Sequence, residues 1–285
     1  MPSPQNGNQT RVSSVPDSGD RSIDSLLVNE TGEPGKWGAA LGSGVSLTYS
    51  FPWRDSRPAF ASPYASVDYP SQGSSFTAGQ ITSAKAALAA WSAVANIRFE
   101  EVAETQTSVG DIRFGNTATY HGNAPAFAYR PSAQFASGGD VWFTPSMLDK
   151  PTTPGTHGFL TLLHEIGHAL GLKHPFEGSP TLEAAVDSST FSVMSYTNFR
   201  PYYFAGTNAV SVFRTTPGIY DIAAIQYLYG PNLSYRTGND TYTFSPNTPE
   251  YLALWDAGGN DSIVAERFEL GIVLDLRPGA LSSLR

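Results

Sequence analysis

The stretch His164-Glu165-Ile166-Gly167-His168-Ala169-Leu170-Gly171-Leu172-Lys173-His174 holds three of the chain's five histidines. On a helix, positions i and i+4 share a face, so His164 and His168 can aim their imidazoles at one point. Glu165, one residue on, lies near enough to that point to act on a bound water without being a ligand. Gly171 can end the helix in a left-handed turn, which lets the chain swing back and deliver His174 as a third nitrogen. Three imidazoles with the fourth position open make a catalytic zinc site rather than a closed structural one. In a chain of this composition the His-Glu-x-x-His pattern alone is expected about 0.003 times by chance. The bland reading, a helix with ordinary surface histidines, is set aside on that figure. His121 and His157, by contrast, read as structural residues of a polar loop and a helix start.

Working outward, the periodicity predicts a helix from Thr156 to Leu170, broken at Gly171. Thr77 to Asn96 is a second helix, with Ile81, Ala84, Leu88, Trp91 and Val94 recurring at three- and four-residue steps. Strands are expected at Val45 to Phe51, Ile97 to Val102, Asp111 to Phe114, Ala124 to Arg130 and Asp140 to Thr144, separated by Gly-, Ser- and Pro-containing turns. A last helix opens near Pro217, with Ile219, Ile222, Ile225 and Leu228 inward, and Gly230-Pro231 ends it. Strands with an early backing helix, followed by helices and then by Gly/Asn/Asp turns, give an α+β domain of α/β-like texture with a small all-β segment behind it.

The 285 residues are 40% apolar, enough for a sizeable core. A net charge of −8 without a Lys/Arg cluster removes the main affinity term of a nucleic-acid binder. Cysteine is absent, so disulfide frameworks, thiolate zinc sites and thiol nucleophiles are excluded together. No run approaches the ~18 apolar residues of a membrane span. Residues 1–24 read as a disordered tail or pro-segment without the apolar core of a Sec-type signal.

Downstream, Ser192-Val193-Met194-Ser195-Tyr196 contains one of only three methionines. Together with the histidine stretch it resembles the metzincin metallopeptidases, in which a methionine turn lies beneath a three-histidine zinc site. Pro175 after the third histidine, and Tyr196 two places after Met194, resemble the serralysin family of cysteine-free bacterial zinc endopeptidases. Phe76-Thr77-Ala78 leading into Ala87-Leu88-Ala89-Ala90-Trp91 is similar to the family's first long helix. Gly139-Asp140-Val141-Trp142-Phe143 is similar to the edge strand above its cleft. Asp221 to Gln226 with Leu228-Tyr229-Gly230 is similar to its closing helix. The likeness covers about residues 25–262.

The resemblance implies a metzincin catalytic domain over residues 25–231, with a twisted mixed sheet, a long backing helix and an active-site helix. It implies one catalytic zinc on His164, His168 and His174, with Tyr196 as a further protein ligand at rest and an oxyanion donor in the reaction, and Glu165 as general base. Substrates would be proteins or peptides bound extended along the strand Asp140 to Phe143. The enzyme would be secreted and monomeric. Residues 232–285 would begin a calcium-binding β-roll. The loops Arg236-Thr237-Gly238-Asn239-Asp240 and Asp256-Ala257-Gly258-Gly259-Asn260-Asp261 read, on their own, as solvated Gly/Asp turns or as oxygen-rich cation loops. Under the resemblance the carbonyls of Arg236, Gly238 and Gly258 and the carboxylates of Asp240, Asp256 and Asp261 would bind calcium, with Gly259 serving a second ion. Gly-Gly-x-Gly-x-Asp repeats are absent, so a roll truncated at its start is expected. The rival is an inert calcium-dependent binding or adhesion module of the same fold, disfavoured by the presence of Glu165. A zinc hydrolase of another clan is disfavoured by His174 at its step.

Overall fold

Leu47 and Tyr49 of the strand Val45–Ser50 alternate with Thr48 and Ser50, so one side of the strand is apolar and the other polar, and both are buried. The computed structural model describes residues 5–6, 12–28, 35–55, 57–60, 64, 70–197, 212–248, 250–265, 267–268 and 271–284. Part of the expected tail, residues 1–4 and 7–11, lies outside the described residues.

Six strands form the main sheet. Ile97–Glu101, Val45–Ser50, Ile112–Thr117 and Val141–Phe143 follow one another in parallel, and Ala126–Ala128 closes the row antiparallel to Val141–Phe143. Gly73–Ser75 pairs antiparallel with the far end of Ile112–Thr117. This is the expected mixed sheet, with one correction. Val141–Phe143 is not the edge strand: it is paired on both sides, and all three of its residues are buried. Among the described residues the sheet ends on this side at Ala126–Ala128, and on the other at Ile97–Glu101. An extended substrate cannot add to Asp140 to Phe143, because both rows of its backbone groups are already taken.

Helix α2, Ala78–Val94, backs the sheet and opens with a capping box between Thr77 and Gln80 (2.8 and 3.2 Å). Its buried face runs through Ala84, Ala87, Leu88, Trp91 and Val94, whereas Ile81 is only half-buried. Trp91 Nε1 donates to Leu163 O of the helix His157–Ala169 (α3) at 3.2 Å, which ties the two helices together. The closing helix, Ile219–Tyr229 (α4), buries Ile222, Ile225 and Leu228 as expected, but the expected Ile219 is half-buried while Asp221 and Tyr229 are buried.

The polar face of the sheet is also covered. Arg113 makes a two-pronged pair with Glu104 (2.7 and 2.8 Å), and Asp140 accepts a hydrogen bond from Tyr64. Trp142 Nε1 donates to the same Tyr64 hydroxyl at 3.0 Å, inside a cluster with Trp53 and Phe60. Burial pushes the Asp140 carboxyl up to about 8.

The expected disordered tail does not reach residue 24. Val12–Ser13 pairs with Lys36–Trp37, Val15 is buried, and a short helix, Arg21–Asp24 (α1), packs against α4. Tyr227 Oη of α4 donates to the carbonyls of Pro16 and Asp17 at 3.2 Å each. The apolar residues Leu26, Leu27 and Val28 draw this segment into the core, at 0–2% exposure. After residue 231 the chain forms short strand pairs, among them Thr241–Phe244 parallel to Ser262–Ala265.

Candidate metal centre

Helix α3 begins at the cap Thr156, whose hydroxyl accepts from Phe159 N at 3.3 Å. Its end is built to turn. Gly171 N donates to His168 O and Leu172 N to Gly167 O, both at 2.9 Å, which is the Schellman pattern. Gly171 sits at φ 109°, and a Cβ there would lie 1.9 Å from Gly35 O. No larger residue fits. Two side chains satisfy the last carbonyls: Trp37 Nε1 donates to Ala169 O at 2.8 Å, and Tyr229 Oη to Leu170 O at 2.7 Å.

The turn brings the three imidazoles together as the spacing predicts. The Nε2 atoms of His164, His168 and His174 form a triangle with sides of 3.0–3.1 Å. His164 Nδ1 lies 2.9 Å from Val193 O, and His168 Nδ1 lies 2.9 Å from Leu172 O. A carbonyl can only accept, so both Nδ1 atoms carry the proton and both Nε2 atoms present bare lone pairs. Bare nitrogens at that separation repel. Protonation is no relief: burial first, and then the neighbouring imidazoles, lower His164 to about 4 and hold His168 well below the ordinary histidine value. A cation that accepts all three lone pairs resolves the conflict, and zinc at about 2.0–2.1 Å from each nitrogen fits such a triangle.

Glu165 is buried, and its Oε2 has no hydrogen-bond partner among the described residues. Desolvation pushes its carboxyl up to about 8. Tyr196 is 63% exposed, with its ring 4.5 Å from that of His174 and 5.6 Å from that of His164. Partial desolvation, followed by the charges of Glu165 and Glu177, raises the phenol above its ordinary value. Phe176 stacks on His174 with ring centroids 5.0 Å apart and completes an aromatic wall beside the triad.

Beneath the triad, Met194 is fully buried. A Cβ on Gly167 would lie 2.5 Å from Met194 Sδ, so the thioether fills the space that this glycine leaves. Asp221 secures the methionine turn. Its carboxylate accepts from Ser192 Oγ (2.6 Å), Val193 N (2.7 Å) and Gly218 N (2.6 Å), and Val193 O in turn orients His164. Sequence reasoning noted Asp221 only as part of a helix. Its signal was an acid in the first turn of an otherwise apolar helix, where the helix's free N–H groups favour one.

The second candidate group also assembles. One carboxylate oxygen from each of Asp240, Asp256 and Asp261 lies within 4.8 Å of the others. Asp261 Oδ1 accepts from Asp240 N (2.8 Å), and Asp256 accepts from Gly258 N (2.9 Å) and Tyr242 Oη (2.6 Å). Arg236 (φ 50°), Gly258 (φ 155°) and Gly259 (φ 135°) all take left-handed conformations, and a Cβ on Gly259 would strike Gly238 O at 1.8 Å.

Comparison with known proteins agrees with this geometry. Residues 64–193 match the family described as Matrixin, and residues 160–241 match the family described as Met-zincin. Serralysin of Proteus mirabilis is 34% identical over 280 residues, covering 86% of this chain and 54% of its own. Serralysin C of Dickeya chrysanthemi is 34% identical over 249 residues (73% and 48%), and metallopeptidase AprA of Pseudomonas marginalis is 35% identical over 237 (74% and 49%). The chain thus spans about half the length of the curated relatives it matches. With both family matches spanning the imidazole triad and relatives about 34% identical over most of its length, the chain belongs to the serralysin-type metzincins.

Proposed function

We propose that the protein is a zinc-dependent endopeptidase that hydrolyses peptide bonds of extended protein substrates. One observation carries the reading: three imidazoles, one buried and two half-buried, two of them fixed as the same tautomer, converge within 3.1 Å beside a buried carboxylate with an oxygen unpartnered among the described residues. His164, His168 and His174 would hold the zinc. Bound there, the metal would supply a water of lowered pKa and a Lewis acid for the scissile carbonyl. Glu165 takes the proton of the attacking water and passes it to the leaving amine. Tyr196, exposed over the triad, donates to the developing oxyanion. The substrate binds extended alongside Ala126–Ala128, the strand that ends this side of the sheet among the described residues and packs against α3, so recognition is largely main-chain.

The acidic loops support a structural calcium site on Arg236, Gly238, Asp240, Asp256, Gly258, Gly259 and Asp261, with no part in the chemistry. Export and a monomeric state are part of the same reading. Among the described residues no helix is long and apolar enough to cross a membrane.

The test is proteolysis of casein by wild type and Glu165→Ala, each with zinc content measured. Wild type should carry about one zinc per chain, and Glu165→Ala should keep it while losing ~10²–10⁴-fold in rate. A variant that retains over half the wild-type kcat/KM would overturn the role of Glu165. A wild type that holds zinc but cleaves nothing would favour the inert module.

A further inference from the structure

Two of the three imidazoles are steered by carbonyls of tight turns, and the third is not. His174 Nδ1 lies 2.7 Å from Glu177 Oε1, off the line of a proper hydrogen bond, and the Glu177 side chain is 55% exposed. The orientation of His174 therefore depends on what holds its loop. That loop is held by its neighbour. Lys173 is 7% exposed, and its Nζ donates to Ser25 O (2.6 Å) and Glu177 O (2.6 Å), with Pro180 O at 3.4 Å. An ammonium has three donors and no acceptor, so three converging carbonyls suit it. One of them belongs to Glu177, whose side chain faces His174. Another belongs to a segment about 150 residues earlier in the chain.

That earlier segment grips the loop at further points. Lys173 N donates to Leu26 O at 2.8 Å, and Leu27 bridges to Leu172. Arg21 Nε donates to Thr181 O at 2.8 Å. The beginning, middle and far side of the third-ligand loop are thus tied to residues 21–27, with the Lys173 ammonium as the central knot.

We propose that Lys173 is the positioning residue of the third metal ligand, and that through it residues 21–27 are a working part of the metal centre. Groups that orient metal ligands from behind typically change metal affinity by about 10–100-fold when removed. The simpler role, a buried lysine that only caps turn carbonyls, would affect stability and leave the metal alone. The inference rests on the zinc reading above, and the experiment separates the two.

Zinc release to a chromogenic chelator is followed for zinc-loaded wild type, Lys173→Met and Lys173→Arg, alongside thermal melting of the metal-free and zinc-loaded forms. If wild type binds no zinc, the zinc reading itself fails. With zinc bound, Lys173→Met should release it about 10-fold faster or more, and the rise in Tm on zinc loading should shrink. Lys173→Arg, which keeps a cationic donor, should recover much of the loss. Release by Lys173→Met within twofold of wild type, with only the metal-free Tm lowered, overturns the proposal. Should Lys173→Met fail to fold, Arg21→Ala takes its place, because it loosens the same loop from an exposed position. Faster release from that variant supports the link, and an unchanged rate overturns it.

Discussion

Tyr196 and Asp140 lead to two separate measurements. The Tyr196 ring packs on two imidazoles of the triad, yet most of it faces solvent, where a substrate carbonyl would lie. Tyr196→Phe should lose roughly 10–10³-fold in kcat with little change in KM, read by steady-state kinetics on a peptide substrate. An unchanged kcat would remove the phenol from the reaction. Asp140 concerns stability instead. Its folded-state pKa, about 8, lies above the ~3.9 of an unfolded aspartate. Its contribution is therefore fully present below about pH 4 and is lost as the pH rises through 8. Asp140→Asn keeps an acceptor for Tyr64 but cannot ionise, so the fall in Tm between pH 5 and pH 9 should be smaller in the variant than in wild type. Equal slopes would place the titration elsewhere. The histidine triad was legible because helical geometry alone aligns positions four apart. The roles of Lys173 and Asp221 were not, because the partners that give them those roles, Ser25 for one and Ser192 and Val193 for the other, lie in segments that no local pattern names.

At the scale of elements, helix α3 owes its end to Gly171. An alanine there must adopt a left-handed conformation and push aside Gly35 O, at a cost of about 1–3 kcal/mol for the backbone alone. Gly171→Ala should lower the denaturation midpoint accordingly and, because His174 follows three residues later, reduce bound zinc. Normal zinc content with a normal midpoint would show that the turn tolerates the change. The three long helices were readable to within two or three residues from caps and periodicity. Strand order was less so. Period-two patterning says that a strand exists, not which neighbours it takes. Even so, Val141-Trp142-Phe143 is apolar at three successive positions, the texture of a strand covered on both faces, whereas Ala126-Phe127-Ala128 carries only one large side chain. That contrast identifies the edge without a resemblance to guide it.

For the molecule as a whole, the acidic loops behind the catalytic unit put three carboxylates close together in a chain already at −8. Calcium would neutralise them and tie the strand pair Thr241–Phe244 and Ser262–Ala265 into one body. At free calcium a hundredfold above its Kd, linkage gives about 2.7 kcal/mol of stabilisation. Melting of zinc-loaded protein with and without millimolar calcium should show that rise in wild type and lose it in Asp256→Ala. A wild-type Tm indifferent to calcium would make these loops ordinary turns. The folded part of the supposed tail was hidden by composition, since Pro, Ser and Asp around Val12 and Val15 mask an element that is ordered by residues far along the chain. That arrangement has a consequence in time. Arg21, Ser25 and the carbonyls of Pro16 and Asp17 leave the ribosome early, but their partners stand 148 to 211 residues later. Contacts of such long separation close slowly and late. A nascent chain therefore carries its histidines before every contact that holds their surroundings can form, since Tyr227 and Tyr229 must still be added to reach Pro16, Asp17 and Leu170.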